Sequence, residues 1–524
     1  MMPETFLAQF GHIADAPNGV QKLRALILDL AVRGKLVEQD PNDEPASELL
    51  KRIKVEKENH AKAQRRGGRK YKSEPITEDE IPFALPEGWE WSRFGAVYSL
   101  EYGDNLPAVK RSNTGEYPVY GSNGIVGSHF ESFVDSPCIV VGRKGSAGAL
   151  NLSLSDGCCV TDVAYYCVPP RELDIIFSFK LFHTLGLDIM GKGIKPGLNR
   201  NEVYGLLLPV PPFAEQKRIV AKVDQLMRLC DRLEAQQKRR VEIQGKATAS
   251  SLNALVNSAD AEAFAANWRR IATRFDHLID SRKTLKALRA TILDLAVRGK
   301  LVPQDPNDEP ASELLKRIKV EKENHAKAQR RRGRKDKSAS LSEDELPFEL
   351  PDGWEWSRFG EVYLLEYGDN LPAIKRSNTG EYPVYGSNGI VGSHFKSFVN
   401  SPCIVVGRKG SAGALNLSLS DGCCVTDVAY YCIPPRELDI IFSFKLFHTL
   451  GLDILGKGIK PGLNRNEVYE LLIPLPPLAE QKRIVARVDQ LMAVCNRLDA
   501  QLQVRESTGE KLATSFTHHL LAAA

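Results

Sequence analysis

The sequence predicts an α+β chain in which two copies of one globular mixed α/β domain are joined by long helices. Three observations predict it: an internal repeat at a fixed offset, short strand-like runs separated by tight turns within each repeat, and apolar seams at helical spacing outside them. Residue n matches residue n+265 without a gap from about Leu23 to Leu233. KLRALILDLAVRGKLV from Lys22 returns as ALRATILDLAVRGKLV from Ala287. EYGDNLPAVKRSNTGEYPVYGSNGIVGSHF from Glu101 returns from Glu366, with Ile374 for Val109 as the one change. Solenoid repeats run to about 20–50 residues, so an offset this long means duplicated whole domains.

Each copy opens on an amphipathic helix with Leu23, Ile27 and Leu30 on one face and Gly34 as its stop. KRIKVEKENHAKAQRRGGRKYK follows from Lys51, with ten basic residues against two acidic ones. Such a run is ordinarily a solvated arm, and functionally a phosphate clamp. From Ile81 the runs PVYG, GIVGSHF, PCIVVGRKG, ALNLSLS and VTDVAYYCVPP alternate with Gly, Asn and Ser, which reads as strands and turns. Trp89 and Trp91, like Tyr165 and Tyr166, fit packing positions in these strands. A helix is expected around Ile175–Leu185.

The prolines of LPVPPFAEQKRIV end the last strand and favour a helix start. Ile219, Val223, Leu226, Cys230 and Leu233 then fall at spacings of four and three, as do Ile484, Val488, Leu491, Cys495 and Leu498. That pattern is a coiled-coil seam, with a helix packed on its own domain as the alternative. Between the copies, two helices are expected with a break near Asn257–Asp260. FDHLID from Phe275 echoes FGHIAD from Phe10, which makes the N-terminal tail a degenerate start of the same long helix. The resulting division is an N-terminal helix (1–37), a first globular domain (38–212), a central helical region (213–302), a second globular domain (303–477) and a C-terminal helix (478–524).

Composition fits soluble globular domains: 43% hydrophobic, 26% charged and a net charge of only +4 over 524 residues. No apolar run is long enough for a membrane span, and the N-terminus lacks a signal-peptide pattern, so a cytoplasmic location is expected. The ten cysteines divide five and five and form no CxxC pair; buried apolar thiols in a reducing compartment are expected, and no metal. There is no P-loop, no dinucleotide fingerprint, no Asn/Asp-Pro-Pro-Tyr/Phe methylation motif and no paired-carboxylate nuclease site. No motif of these kinds marks a catalytic centre or a cofactor site in this chain.

The candidate contact residues are polar and basic side chains in Gly-rich loops, which approach a DNA groove closely. In the first copy they are Tyr102, Asn105, Lys110 and Arg111 from EYGDNLPAVKR; Tyr120, Ser122 and Asn123 from YGSNG; Arg143 and Lys144 from GRKG; and Lys192, Lys195, Asn199 and Arg200 from GKGIKPGLNRN. In the second they are Tyr367, Asn370, Lys375, Arg376, Tyr385, Ser387, Asn388, Arg408, Lys409, Lys457, Lys460, Asn464 and Arg465. Arg suits bidentate contact with guanine, Asn with adenine, and Lys with phosphate. Each loop also reads as an ordinary surface turn.

LPEGWEW (LPDGWEW in the second copy), YGSNG, GRKGSAG, TDVAYY, GKGIKPGLNRNEV and PPxAEQKRIV (preceded by Val in the first copy and Leu in the second) occur in order and twice. The ordered set resembles the specificity subunits of type I restriction–modification systems, over nearly the whole chain. The resemblance implies two target-recognition domains, each reading half of a split double-stranded DNA site, on antiparallel coiled-coil helices with pseudo-twofold symmetry. It implies recruitment of two methyltransferase subunits, which would bind S-adenosylmethionine, and optionally of restriction subunits using ATP and Mg. It also implies no catalytic residues and no cofactor in this chain itself, with which the missing motifs agree. A self-contained modification or restriction enzyme and a bivalent protein scaffold are the alternatives. Helices of about 30 residues span about 45 Å, enough to act as a ruler between half-sites about 34 Å apart per turn.

Overall fold

The computed structural model describes residues 13–14, 16–63, 74–135, 137–191, 197–328, 341–456 and 462–523. The chain forms two compact units, one of residues 1–239 with 505–524 and one of residues 240–504. Segments 240–259 and 505–524 are equivalent under the 265-residue offset. Each unit is thus one module completed by the far end of the other copy's long helix.

In the first unit, α1 (Gly19–Val32) buries Val20, Leu23, Leu26, Ile27 and Leu30. Gly34 stops it as expected. With φ at +67°, the N–H groups of Gly34 and Lys35 return to the oxygens of Ala31 (3.3 Å) and Leu30 (3.0 Å). A side chain at Gly34 would also meet Pro86, whose Cγ lies 2.5 Å from the Cβ position.

The basic run is not simply a solvated arm. Its first part belongs to α2 (Ala46–Ala63), which buries Leu49 and Ile53. Lys57 Nζ donates to the carbonyls of Gly95 (2.9 Å) and Tyr98 (3.0 Å), and burial lowers its pKa to about 8. Lys57 is therefore unavailable to a phosphate, while residues 64–73 of the run lie outside the described residues.

The globular domain contains β1 (Glu90–Arg93), α3 (Phe94–Val97), β2 (Glu101–Tyr102), β3 (Tyr117–Gly121), β4 (Gly124–His129), β5 (Cys138–Gly142) and β6 (Leu150–Ser153). It continues with β7 (Cys159–Val160), β8 (Ala164–Cys167), α4 (Ile175–Phe182), α5 (Arg200–Tyr204) and β9 (Leu207–Val210). One sheet is antiparallel in the order β2-β8-β5-β6. A second runs β4-β3-β7, with β3 antiparallel to β4 and parallel to β7. A two-stranded ribbon of β1 and β9 closes the domain where the chain enters and leaves it. Asp174 caps α4 by accepting the Phe177 N–H at 2.8 Å. Phe182 from α4 packs against Phe94 and Tyr98, with ring centroids 5.0 and 4.9 Å apart.

The long helix α6 (Phe213–Val256) has 44 residues, so it spans about 66 Å, more than the sequence suggested. It stops near Asn257 as expected, and α7 (Ala261–Ala272) starts at Asp260, whose side chain accepts the Ala263 N–H at 2.7 Å. FDHLID does not begin a continuous helix. It forms the single turn α8 (Phe275–Leu278), and Ser281 caps a separate α9 (Arg282–Val297) in a reciprocal box with Thr284. Of the matching FGHIAD, only Ile13 and Ala14 are described.

The second unit repeats these elements from α10 (Ala311–Ala328) through β10 (Glu355–Arg358) to β18 (Leu472–Leu475), with the same sheet orders. It ends in α14 (Leu478–Ala523), whose last residues belong to the first unit.

The first turn of α6 is the joint between helix and domain. Glu215, almost wholly buried, accepts hydrogen bonds from Trp89 Nε1 (2.9 Å) and Gln39 Nε2 (3.1 Å). Gln216, also buried, donates to Pro211 O (3.0 Å) and accepts the Asp174 N–H (2.9 Å). Arg218 grips Asp43 with both terminal nitrogens at 2.6 and 3.3 Å. Beyond the joint, Ile219, Val223, Leu226 and Cys230 are buried and Leu233 partly so, in one core cluster with Leu23, Leu26, Ile27 and Leu30. Arg24 of α1 pairs with Asp231 (2.7 Å) and Glu234 (3.0 Å) across that contact. Within the unit the seam therefore packs on the module's own first helix. Ile484, Val488 and Cys495, with Leu491 and Leu498 partly buried, share a cluster with Leu285, Leu288 and Ile292 in the same way. All ten cysteines are free and buried.

Candidate DNA-reading face

Three loops of each domain meet around one tip. Ser122 and Asn123 form the two-residue connection of β3 and β4, closed by the Gly121–Gly124 pair. Gly124 carries the positive φ (+106°) that the turn needs, so Ser122 and Asn123 remain in ordinary conformations. Behind the tip runs the β5–β6 turn. A Cβ on Gly142 would stand 2.5 Å from Ser122 O and 2.0 Å from Ser146 O, so only glycine lets the two backbones pack this closely. Ser122 Oγ accepts the Ser146 N–H at 3.3 Å. The third loop joins through a bridge of Lys144 with Gly197 and a hydrogen bond from Leu198 N–H to Arg143 O (2.8 Å).

At this junction the guanidinium groups of Arg143 and Arg200 both lie over the ring of Tyr102, at 5.0 and 4.8 Å from its centroid. Arg143 also lies over Tyr165 (5.9 Å), and Arg200 over Tyr204 (5.8 Å). Each arginine is held at one further point: Arg143 donates to Asp162 O (3.0 Å) and Arg200 to Leu100 O (3.1 Å). In the second domain Arg408 and Arg465 lie 4.8 and 4.9 Å from the centroid of Tyr367. Stacking on an aromatic face restrains a guanidinium while leaving in-plane N–H groups able to meet acceptors. Tyr102 is half exposed, so this cationic cluster borders solvent.

Other expected residues divide by placement. Asn105, Lys110, Asn123 and Lys144 are exposed, as are Asn370, Lys375, Asn388 and Lys409. Lys144 lies 3.6 Å from the Asp162 carboxylate, a loose surface pair. Ser387 matches Ser122, accepting the Ser411 N–H at 3.2 Å. Arg111 and Arg376 turn inward, each donating from Nε to a loop carbonyl (Leu106 or Leu371) at 3.0 Å. Asn199 and Asn464 cap the short helices that follow them. Tyr120 and Tyr385 are a correction: both are buried, because each ring packs in a small core cluster, with Cys138, Val140 and Val160 in the first domain and Cys403, Val405 and Val425 in the second. Lys192, Lys195, Lys457 and Lys460 lie outside the described residues.

Two features escaped sequence reasoning. Asn151 stands behind the tip, its Oδ1 3.8 Å from the Cβ position of Gly124, and its buried Nδ2 has no hydrogen-bond partner; Asn416 repeats this. Within the alternating run ALNLSLS it gives no signal of its own. Ile125, just past the tip, is largely exposed, as is Ile390. Its exposure has no signal in the sequence, where Ile125 and Val126 read as ordinary strand residues; an exposed apolar group at this place suits a thymine methyl.

Among the described residues no cluster of side chains could hold a metal ion, and no helix is long and apolar enough to cross a membrane. The profile of the type I restriction modification DNA specificity domain matches residues 86–243 and again 351–505. The chain is 32% identical to the type I restriction enzyme EcoAI specificity subunit of Escherichia coli, over 95% of this chain and 93% of that one. It is 32% identical to the EcoEI specificity subunit of the same organism over the same shares. A solved chain from a study of assembly and conformational transition in the type I R-M system shares the fold. Its TM-score is 0.51 at 19% identity, covering 84% of this chain and 99% of that one.

Proposed function

The chain belongs to the specificity-subunit family of type I restriction–modification systems, and from that premise we propose that its two domains read one short base sequence twice, as inverted halves of a split duplex target. In that family this subunit is the non-catalytic component that supplies DNA specificity. The observation carrying the proposal is the identity of the two reading faces. From Tyr102 to Arg200 the copies differ only at Val109/Ile374, Glu131/Lys396, Asp135/Asn400, Val168/Ile433 and Met190/Leu455. None of these belongs to the tyrosine–arginine cluster or the Ser-Asn tip. Identical donors in identical geometry select identical bases, and a twofold reader requires inverted half-sites.

In this reading Arg143, Arg200 and Asn123, with Arg408, Arg465 and Asn388, address base edges. Lys110, Lys144 and Asn105, with Lys375, Lys409 and Asn370, address phosphates and groove walls. The helical parts dock two methyltransferase subunits, which bind S-adenosylmethionine, and optionally restriction subunits with ATP and Mg; this chain holds no cofactor. Mapping modified bases in DNA exposed to the assembled complex tests the proposal. A gapped palindrome is expected, and two unlike half-sites would refute it.

A further inference from the structure

We propose that Glu215, with Glu480 in the second copy, is a positioning residue that fixes each reading domain at one angle on its helix and thereby restricts the complex to one gap between half-sites. The inference rests on the split-target reading above. The Glu215 carboxylate ties together three segments far apart in sequence: its own helix, Trp89 at the domain's entry (2.9 Å) and Gln39 in the link leaving α1 (3.1 Å). Gln39 at the same time donates to Gly34 O at 2.6 Å, where α1 ends. Gln216 adds the start of α4 through the Asp174 N–H and the domain's exit through Pro211 O. Entry, exit, α1 and α4 are thus all referred to two consecutive buried side chains. The second copy repeats the set, with Trp354 at 2.9 Å and Gln304 at 3.1 Å from Glu480.

Buried hydrogen bonds are directional and are not replaced by water when broken, so tilting the domain on the helix is costly. The bidentate Arg218–Asp43 pair, with Asp43 mostly buried, adds a further directional hold at the same joint. Lys180–Asp224, by contrast, is a single contact through a long flexible cation and tolerates a tilt. One added base pair moves a half-site by about 3.4 Å and turns it by about 35° around the DNA axis. A domain held at one angle rejects both displacements; a loosened one follows them.

The test reconstitutes the full chain with its methyltransferase partner and offers it a plasmid library. In the library the half-sites read by the unaltered complex stand at the native gap and at gaps one to three base pairs shorter or longer. Trp89→Phe with Trp354→Phe removes one donor per joint and keeps the packing; Glu215→Ala with Glu480→Ala removes the acceptor entirely. The expected result is unchanged half-site bases, with preference for the native gap over its neighbours reduced about tenfold or more. Glu215→Gln with Glu480→Gln, which keeps one acceptor oxygen per joint, falls between. If the alanine variant does not fold, the Trp→Phe pair decides. Undiminished gap discrimination in folded variants, even with lower overall methylation, overturns this inference alone. An unaltered complex that recognises no split site ends the split-target reading and this inference together.

Discussion

The joint at the start of α6 and the proposed reading face at the Ser-Asn tip use the same kinds of side chain to opposite ends. At the joint every named polar group is spent internally: Glu215, Gln216 and Trp89 are buried and bonded to one another's segments. At the face, Asn123 and Lys144 are exposed, and the arginines are restrained but not covered. A group whose bonds are already made stabilises an angle. A group held in place with donors to spare can select a ligand. On the proposed reading the difference separates residues that set geometry from residues that set specificity, and each is open to alteration without the other.

The largest effect is expected on DNA binding. Arg143→Ala with Arg408→Ala removes about 1–3 kcal/mol of discrimination per half-site, so the pair lowers affinity for the specific duplex by at least about tenfold. Fluorescence anisotropy at fixed salt reads this, while urea denaturation shows only a smaller loss, about 1 kcal/mol per domain, from the lost stacking and carbonyl hydrogen bond. A stability loss as large as the binding loss would place the arginines with the joint.

The converse experiment is Trp89→Phe, which leaves a buried Glu215 oxygen without its donor. Denaturation should show a loss of about 1–3 kcal/mol in the first unit, with the half-site sequence unchanged. Altered base preference would erase the distinction between joint and face.

A smaller effect concerns Lys57. Its folded pKa, about 8, lies below the value of about 10.4 expected in the unfolded chain. Between these values the unfolded state binds more protons, so stability attributable to this group rises as pH climbs from about 8 to about 10.4. Lys57→Met should flatten that rise when the two denaturation series are compared. Parallel pH curves would mean that Lys57 stays charged in its carbonyl nest.

The smallest effect separates the two faces themselves. Glu131 and Lys396 are among the few differences between them. Lys396→Glu should change the salt dependence of binding by no more than about one unit of slope and leave the recognised bases unchanged. A changed base preference would show that this loop reads sequence.

Much of the architecture was legible because it is written in periodicity and punctuation. The 265-residue repeat, the Gly34 stop, the break before Asp260 and the strand-and-turn domain all follow from local rules and were all found. The failures are tertiary. Lys57 sits in a run that looks solvated, and only the fold brings the Gly95 and Tyr98 carbonyls to it. Tyr120 looked available because its loop is Gly-rich, but it is buried against Cys138, Val140 and Val160, which lie 18 to 40 residues further along the chain. The seam from Ile219 to Leu233 was visible as spacing, whereas its partner, α1 of the same module, depended on folding of the whole unit. Of the reading face, the sequence supplied residue types; the convergence of Tyr102, Arg143 and Arg200 spans about a hundred residues and has no local signature.

Selection of bound duplexes from a random-sequence pool by the assembled complex puts the equality of the two faces to its most direct trial. The account predicts enrichment of a single short sequence present twice, inverted, across one fixed interval. Enrichment of two dissimilar halves, or of one uninterrupted site, would contradict it.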